Sequence, residues 1–179
     1  ISNKDDISYK YKRITKALNK SFYNDLDNDT LHSLQVGSYG RKTAIDGISD
    51  LDMIFEITDV DFKKYNSRLN NGQSDLLQDT KKAIQKTYPN SDIRGDGQVV
   101  VVNFTNYVIE VCPASLQSDN SYKYPDSNNG GSWKITKPRQ EIKELNSFNG
   151  TTNSNLKNLC KITRAWKNKN GGKMGGLLI

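Results

Sequence analysis

At 179 residues, with a formal net charge of +6 and a pI near 9.2, the chain suits one domain, or one domain and part of a second. Two cysteines without CxxC spacing and a single histidine, His32, leave little material for a disulfide framework, a His-based zinc site or a Ser-His-Asp triad, and they fit a reducing cytoplasm. No apolar run is long enough for a membrane span and no signal peptide is visible, so a soluble cytoplasmic protein is expected; the basic excess admits nucleotides or nucleic acid as partners, although surface lysine alone would give the same charge.

In chain order, the spacing of Ile7, Ile14, Leu18 and Phe22, with Tyr11 beside them, predicts a helix over Asp5 to Leu26. Its other face carries Lys10, Lys12, Arg13, Lys16 and Lys20, either as a solvated surface or as a basic brace behind the site. A short strand, Leu31 to Val36, runs into Gly37-Ser38. Arg41 and Lys42 follow and face either phosphate or solvent. Asp50 to Ile57 reads as the next strand, and Met53, Ile54, Phe55 and Ile57 predict burial on both sides. Asp50 and Asp52 stand at i and i+2 of that strand, which puts both carboxylates on one face. Two anions there repel each other unless a cation lies between them, and Mg2+, a hard ion that takes oxygen ligands, is the natural occupant. Gly37 lets backbone approach a phosphate, the turn after it offers N–H groups, and Ser38 adds a hydroxyl. A phosphate grip beside a carboxylate pair is what nucleotidyl transfer requires.

GSYGRKTAI and SDLDMIFEI together resemble the signature of the DNA polymerase β-like nucleotidyltransferase superfamily. More narrowly, they resemble the bacterial cGAS/DncV-like nucleotidyltransferases (CD-NTases of SMODS type), whose other relatives are the oligoadenylate synthases. The resemblance implies an α+β fold: a mixed twisted sheet flanked by helices, followed by the start of a helical lobe.

Farther on, Asp59 to Lys64 and Gln73 to Tyr88 read as helices, with a turn at Asn71-Gly72 and Pro89 as the stop. The stripe Leu76, Leu77, Thr80, Ile84 and Tyr88 should pack on the back of the sheet without chemistry. Ser91 to Gly97 reads as a turn-rich approach to a strand over Gln98 to Phe104, rich in β-branched residues. After a turn at Thr105-Asn106, Tyr107 to Cys112 returns antiparallel and holds Glu110 between Ile109 and Val111. An acid in an apolar strand is either ion-paired or a ligand. The resemblance favours the second reading, because the family's third acid precedes a V-x-P segment, here VIEVCPA, where Asp is the commoner residue. Ser118 to Thr136 reads as a long irregular loop in which Tyr122, Tyr124 and Trp133 stack on a base or anchor the loop. Its YPD, GGxW and P pattern again resembles the family and implies a place near the nucleotide cleft.

Pro138 to Phe148 is predicted helical, broken by Asn149-Gly150, and a second helix spans Asn153 to Lys169. Leu156, Leu159, Cys160, Ile162, Thr163 and Trp166 form its apolar side. Lys161 and Arg164, at i and i+3, share a face that is otherwise a solvated basic surface. LKNLCKITRAWK is similar to the family's LKxLxRxxKxW helix, which implies that Lys161 and Arg164 bind the donor triphosphate with the Arg and Lys types exchanged. An apolar tail, Gly175 to Ile179, suggests a fragment: 1–150 the catalytic core, 151–179 the first helix of a truncated lobe.

Taken whole, the resemblance implies an enzyme in which Asp50, Asp52 and Glu110 hold Mg2+, or Mn2+ in its place, while Gly37, Ser38, Lys161 and Arg164 bind nucleotide. Donor and acceptor NTPs, ATP or GTP among them, would yield a cyclic di- or trinucleotide, read by a separate effector in CBASS-type anti-phage signalling. A monomer is expected, with no membrane contact and no need for nucleic acid. The competing readings are a nucleotidyltransferase that modifies an antibiotic, a protein or an RNA end, a synthase activated by nucleic acid, and a non-enzymatic module, against which the acidic triad argues.

Overall fold

The computed structural model describes residues 4–45, 47 and 50–171, so the tail at 175–179 lies outside the described residues. The fold is built on β2 (Leu51–Glu56), in which alternate side chains go to opposite faces of a sheet. Leu51, Met53 and Phe55 face one core, and Ile54 faces another. On one edge β2 pairs antiparallel with β1 (Ser33–Gln35), and on the other it pairs parallel with β5 (Val108–Leu116). Beyond β5 come β4 (Val99–Asn103) and β3 (Asp92–Asp96), both antiparallel. β6 (Tyr122–Asp126) and β7 (Ser132–Thr136) extend from the far end of β5 and complete a seven-stranded mixed sheet.

The main core lies between this sheet and α1 (Lys4–Phe22) and α4 (Gly72–Gln85). Ile14 and Leu18 from α1 and Leu76 and Ile84 from α4 are sealed against Met53, Phe55, Val100, Ile109 and Val111, all essentially fully buried. α3 (Asp59–Asn66) is capped by Thr58, whose hydroxyl oxygen accepts from the Asp61 amide, and α4 by Asn71 through the Ser74 amide. Dry burial of this many aliphatic side chains is the dominant stabilising term. Among the described residues no helix is long and apolar enough to cross a membrane.

The α+β class agrees with expectation, three strands (β3, β6 and β7) stand where a turn and a loop were expected, and the differences have local causes. α1 ends at Phe22 and does not reach Leu26, because Asn24 and Asp25 turn left-handed at φ 50° and 63°. The expected turn at 91–97 contains β3, whose one buried side chain, Ile93, gives no apolar alternation to read. β5 passes through Pro113: β4 pairs with it as far as Val111 and β6 from Ser115, so the proline falls between the two antiparallel ladders. The expected irregular loop is the β6–β7 hairpin, turned by Asn129, Gly130 and Gly131 at φ 52°, 87° and 95°. α5 (Pro138–Thr151) continues through Asn149-Gly150, since one exposed glycine costs a helix only about 1 kcal/mol. α6 (Asn155–Lys169) follows.

The hairpin is fastened to the sheet by Tyr122. The side chain is fully buried; its hydroxyl donates to Glu56 Oε1 at 2.6 Å and accepts from Arg139 Nε at 2.9 Å. Arg139 also reaches Glu56 at 3.0 Å, so one hydroxyl joins β2, β6 and α5. Tyr122→Phe keeps the packing and removes the bridge, and should cost about 1–2 kcal/mol, read as a lower urea midpoint at unchanged m-value.

Candidate active site: an acidic cleft against a glycine-serine turn

β1 delivers the chain to the site. The Val36 amide donates to the Asp52 carbonyl at 2.9 Å, which places the next residue, Gly37, against the Asp52 side chain. Gly37 has φ +55°, and a Cβ there would lie 1.8 Å from Asp52 Oδ2. Both the backbone conformation and the space therefore demand glycine. Gly37 opens α2 (Gly37–Gly40), whose first amides precede its internal hydrogen-bond ladder. Ser38 is buried at 5% exposure, and its carbonyl accepts from the Thr43 and Ala44 amides at 2.8 and 3.1 Å, closing the loop back on the turn.

Asp52 and Glu110 are register partners on the parallel strands β2 and β5. Side chains at paired positions share a face, so the two carboxylates stand side by side. The Asp52 carboxyl is held above its ordinary range, first by burial and then by Asp50, against the opposing pull of Arg41 and Arg164. Glu110 is likewise raised by burial, then by Asp52, Asp50 and Asp96. Asp50 sits at the exposed rim, where Oδ1 accepts from the Val108 amide at 3.1 Å. Among the described residues no three acidic, histidine or cysteine side chains already form a metal-ready group. The site thus gathers Asp52, Glu110 and Gly37 closely, with Asp50 near but turned to the β5 backbone. The donor chemistry fits a hard divalent cation: all the candidate ligands are carboxylate oxygens, and burial and mutual repulsion leave two of them short of positive charge.

These groups open on a cleft of about 260 Å3, lined also by Gln98, Cys112, Tyr124 and Thr136. Tyr124 alone of the three aromatic candidates lines it. Tyr122 is locked in the bridge to Glu56, and Trp133 packs edge-on against Phe62 at 4.9 Å. Lys161 lies in a neighbouring pocket of about 490 Å3 with Lys4, Gln35, Tyr39 and Lys42, across α2 from the acids. Arg164, three residues farther along α6, acts electrostatically on Asp52. Arg41, which also acts on Asp52, pairs with Glu141 at 3.5 Å. Sequence reasoning assigned no role to Asp96 or Gln98. Both depend on the β3–β4 hairpin, which the turn-rich stretch 91–97 concealed.

The sequence profile of the Second Messenger Oligonucleotide or Dinucleotide Synthetase domain, SMODS, matches residues 1–149. No curated protein matches the sequence. Among solved structures, the Rhodothermus marinus CdnE c-UMP-AMP synthase superposes with a TM-score of 0.63 at 15% identity, covering 95% of this chain and 65% of that one. The Elizabethkingia meningoseptica CdnE cyclic dinucleotide synthase gives 0.65 at 19% identity over 93% and 62%. CdnC from E. coli MS115-1 gives 0.65 at 15% identity over 98% and 55%. At such identities the likeness establishes the polymerase β-like fold, and the chain spans 65%, 62% and 55% of the three proteins' lengths.

The raised carboxyls carry a stability consequence. A carboxylate whose folded pKa lies above its unfolded value stabilises below that unfolded value, and the contribution is lost as pH rises through the folded pKa. Without metal at pH 7, Asp52 therefore weakens the fold. Asp52→Asn should raise the melting temperature in chelator, by roughly 2–4 °C for each kcal/mol relieved. The gap to wild type should close below the ordinary carboxyl value of 3.8. Added Mg2+ should raise the wild-type melting temperature and leave that of the variant unchanged; melts in EDTA and in Mg2+ across pH check both.

Proposed function

The chain belongs to the SMODS family of cGAS/DncV-like nucleotidyltransferases, and from that membership we propose that its acidic cleft transfers a nucleotidyl group between NTPs to build a cyclic di- or trinucleotide. The observation that carries the reading is the register pairing of Asp52 with Glu110 directly against the Cβ-less Gly37. It puts a carboxylate pair beside backbone that a phosphate can approach.

Asp52 and Glu110, joined by Asp50 from the rim, would hold a divalent ion such as Mg2+ or Mn2+, which supplies electrophilic pull on phosphoryl oxygens and acidifies the acceptor hydroxyl. The remaining work falls to the chain itself. Gly37 and Ser38 present amides to phosphate oxygens. Lys42 and Lys161, which share one pocket, are set to take the terminal phosphates beyond α2. Arg41 and Arg164 offset negative charge at Asp52. Glu110, side by side with Asp52 at the cleft, is suited to take the acceptor hydroxyl's proton as that oxygen attacks the donor α-phosphorus. The α–β phosphoanhydride bond breaks in line with the attack, and pyrophosphate leaves.

A role in CBASS-type anti-phage signalling, with a separate effector for the product, is the biological setting that family membership supports. We also propose that 1–150 form the catalytic core and 151–179 begin a helical lobe. Leu159, Ile162 and Trp166 stand 59%, 66% and 54% exposed along one side of α6, as the uncovered face of such a lobe would. Incubating the full-length protein with labelled NTPs alone separates cyclic-product synthesis from transfer to an antibiotic, a protein or an RNA end, because only the former needs no other acceptor.

Two outcomes are expected. The double variant Asp50→Asn, Asp52→Asn should stay folded by circular dichroism and make no product in that assay; near-normal product would sink the mechanism. Lys161→Ala should weaken NTP binding by about 1–3 kcal/mol; an unchanged affinity by calorimetry would return that lysine to solvent.

A further inference from the structure

Besides its acids, the cleft holds an amide whose hydrogen-bonding sense is fixed. Gln98 stands in the turn between β3 and β4 and lines the cleft with Asp52, Glu110 and Tyr124. Its Nε2 donates to Asp126 Oδ2 at 3.2 Å. Asp126 is buried at 5% exposure and has further partners: the Asn128 amide at 3.1 Å, Asn128 Nδ2 at 2.8 Å and the Lys134 ammonium. Lys134 first, then the Asn128 amide, hold its carboxyl down to about 2, so it is ionised at neutral pH.

An ionised carboxylate only accepts hydrogen bonds. The orientation of a glutamine amide is otherwise ambiguous, and here its partner decides it. The NH2 group must turn to Asp126, and the carbonyl Oε1 must turn away. Among the described residues no donor reaches Oε1, and it is not among the buried polar atoms left without a partner. The cleft therefore offers an open acceptor on one wall, while Ile54, Val99, Cys112 and Tyr124 supply surfaces suited to the faces of an aromatic ring.

We infer that Gln98 sets the base preference of this cleft: its Oε1, aimed by Asp126, accepts from the exocyclic amine of an amino-bearing base, adenine N6 or cytosine N4, and disfavours the carbonyl edge of guanine or uracil. The inference rests on the reading of the cleft as an NTP site and names the substrate class within it. A carbonyl-edged base would set its own acceptor oxygen against Oε1 where the amine stood, and its ring N–H, N1 of a purine or N3 of uracil, lies one position away from that contact. Asp126 acts as a positioning residue, since it touches Gln98 and not the base.

The test pairs nucleotides that differ chiefly at this one edge. ATP against ITP exchanges N6 for O6, and CTP against UTP exchanges N4 for O4. By calorimetric titration with Ca2+ as counter-ion, the wild type should bind ATP over ITP and CTP over UTP by about three- to tenfold, the scale of one net hydrogen bond. Gln98→Met, which keeps length and removes the acceptor, should bring both ratios to about one, with the protein still folded and its melting temperature lowered only by the lost hydrogen bond to Asp126. Asp126→Asn, whose amide can donate to Oε1 and free the Gln98 NH2 to face the cleft, should lower or invert them. Equal binding of ATP and ITP by the wild type, or ratios that survive Gln98→Met, overturn the inference and leave the nucleotidyltransferase reading standing. Failure to bind any of the four triphosphates overturns both.

Discussion

Everything at the site depends on forcing two carboxylates together in a half-buried cleft. Asp52 and Glu110 cannot avoid each other, because the parallel register of β2 and β5 fixes them side by side. The apolar burial on either side of β2 holds that register in place. A slip of one residue would put Met53 into the cleft and an aspartate into the aliphatic core, at a cost no local contact could offset. The hydrophobic core is thus the device that holds the two carboxylates against their mutual repulsion. On the proposed reading a divalent cation would relieve that repulsion, which ties metal binding to the stability of the fold.

The sheet separates these tasks by face. Toward α1 and α4 it presents a continuous dry core. On the other side it is covered only in part, by the β6–β7 hairpin, which seals Ile54 and Ala114 under Tyr122 and leaves the adjoining surface open as the cleft. The hairpin turn is itself held from below. A Cβ at Gly131 would collide with the side chains of Asn71 and Gln73 at the start of α4, so helix and turn interlock at a contact only glycine permits. The cleft wall is therefore braced from the back of the molecule by residues that never face a ligand.

The parts of this architecture legible in sequence were those with strong local signals. The run Met53-Ile54-Phe55, the valines of β4 and the amphipathic α4 announce themselves by apolar pattern. Gly37-Ser38 with Asp50 and Asp52 does so by spacing. β3 was illegible because an edge strand with one buried side chain needs no alternation, and the β6–β7 hairpin because its polar, glycine-rich sequence looks like any loop. The site followed the same divide. Asp52 stood out in its own strand, Glu110 stood out as an acid among apolar residues whose ligand role the family resemblance favoured, and the shared face of Lys161 and Arg164 followed from helical spacing. That Lys161 lines the pocket beside α2 while Arg164 acts on Asp52 depends on how α6 sits in the fold, and no spacing encodes that. Gln98 and Asp96 acquire meaning only once β3 folds back on β4.

The parallel pairing of β2 with β5 also bears on how the protein is made. Parallel neighbours need a crossover, and here the crossover contains α3, α4, β3 and β4. A growing chain completes β2 early, then must hold that apolar strand without its central partner until β5 has left the ribosome. The closure entropy of so long a loop falls due before the strand contacts repay it, which makes the union of β2 and β5 a late and slow event. During that interval α1 and β1, both upstream of β2, are already made and can cover it. The early helix, whose buried face packs on β2 in the finished molecule, then serves the nascent chain as a shield against the strand-to-strand aggregation that long-range sheets invite.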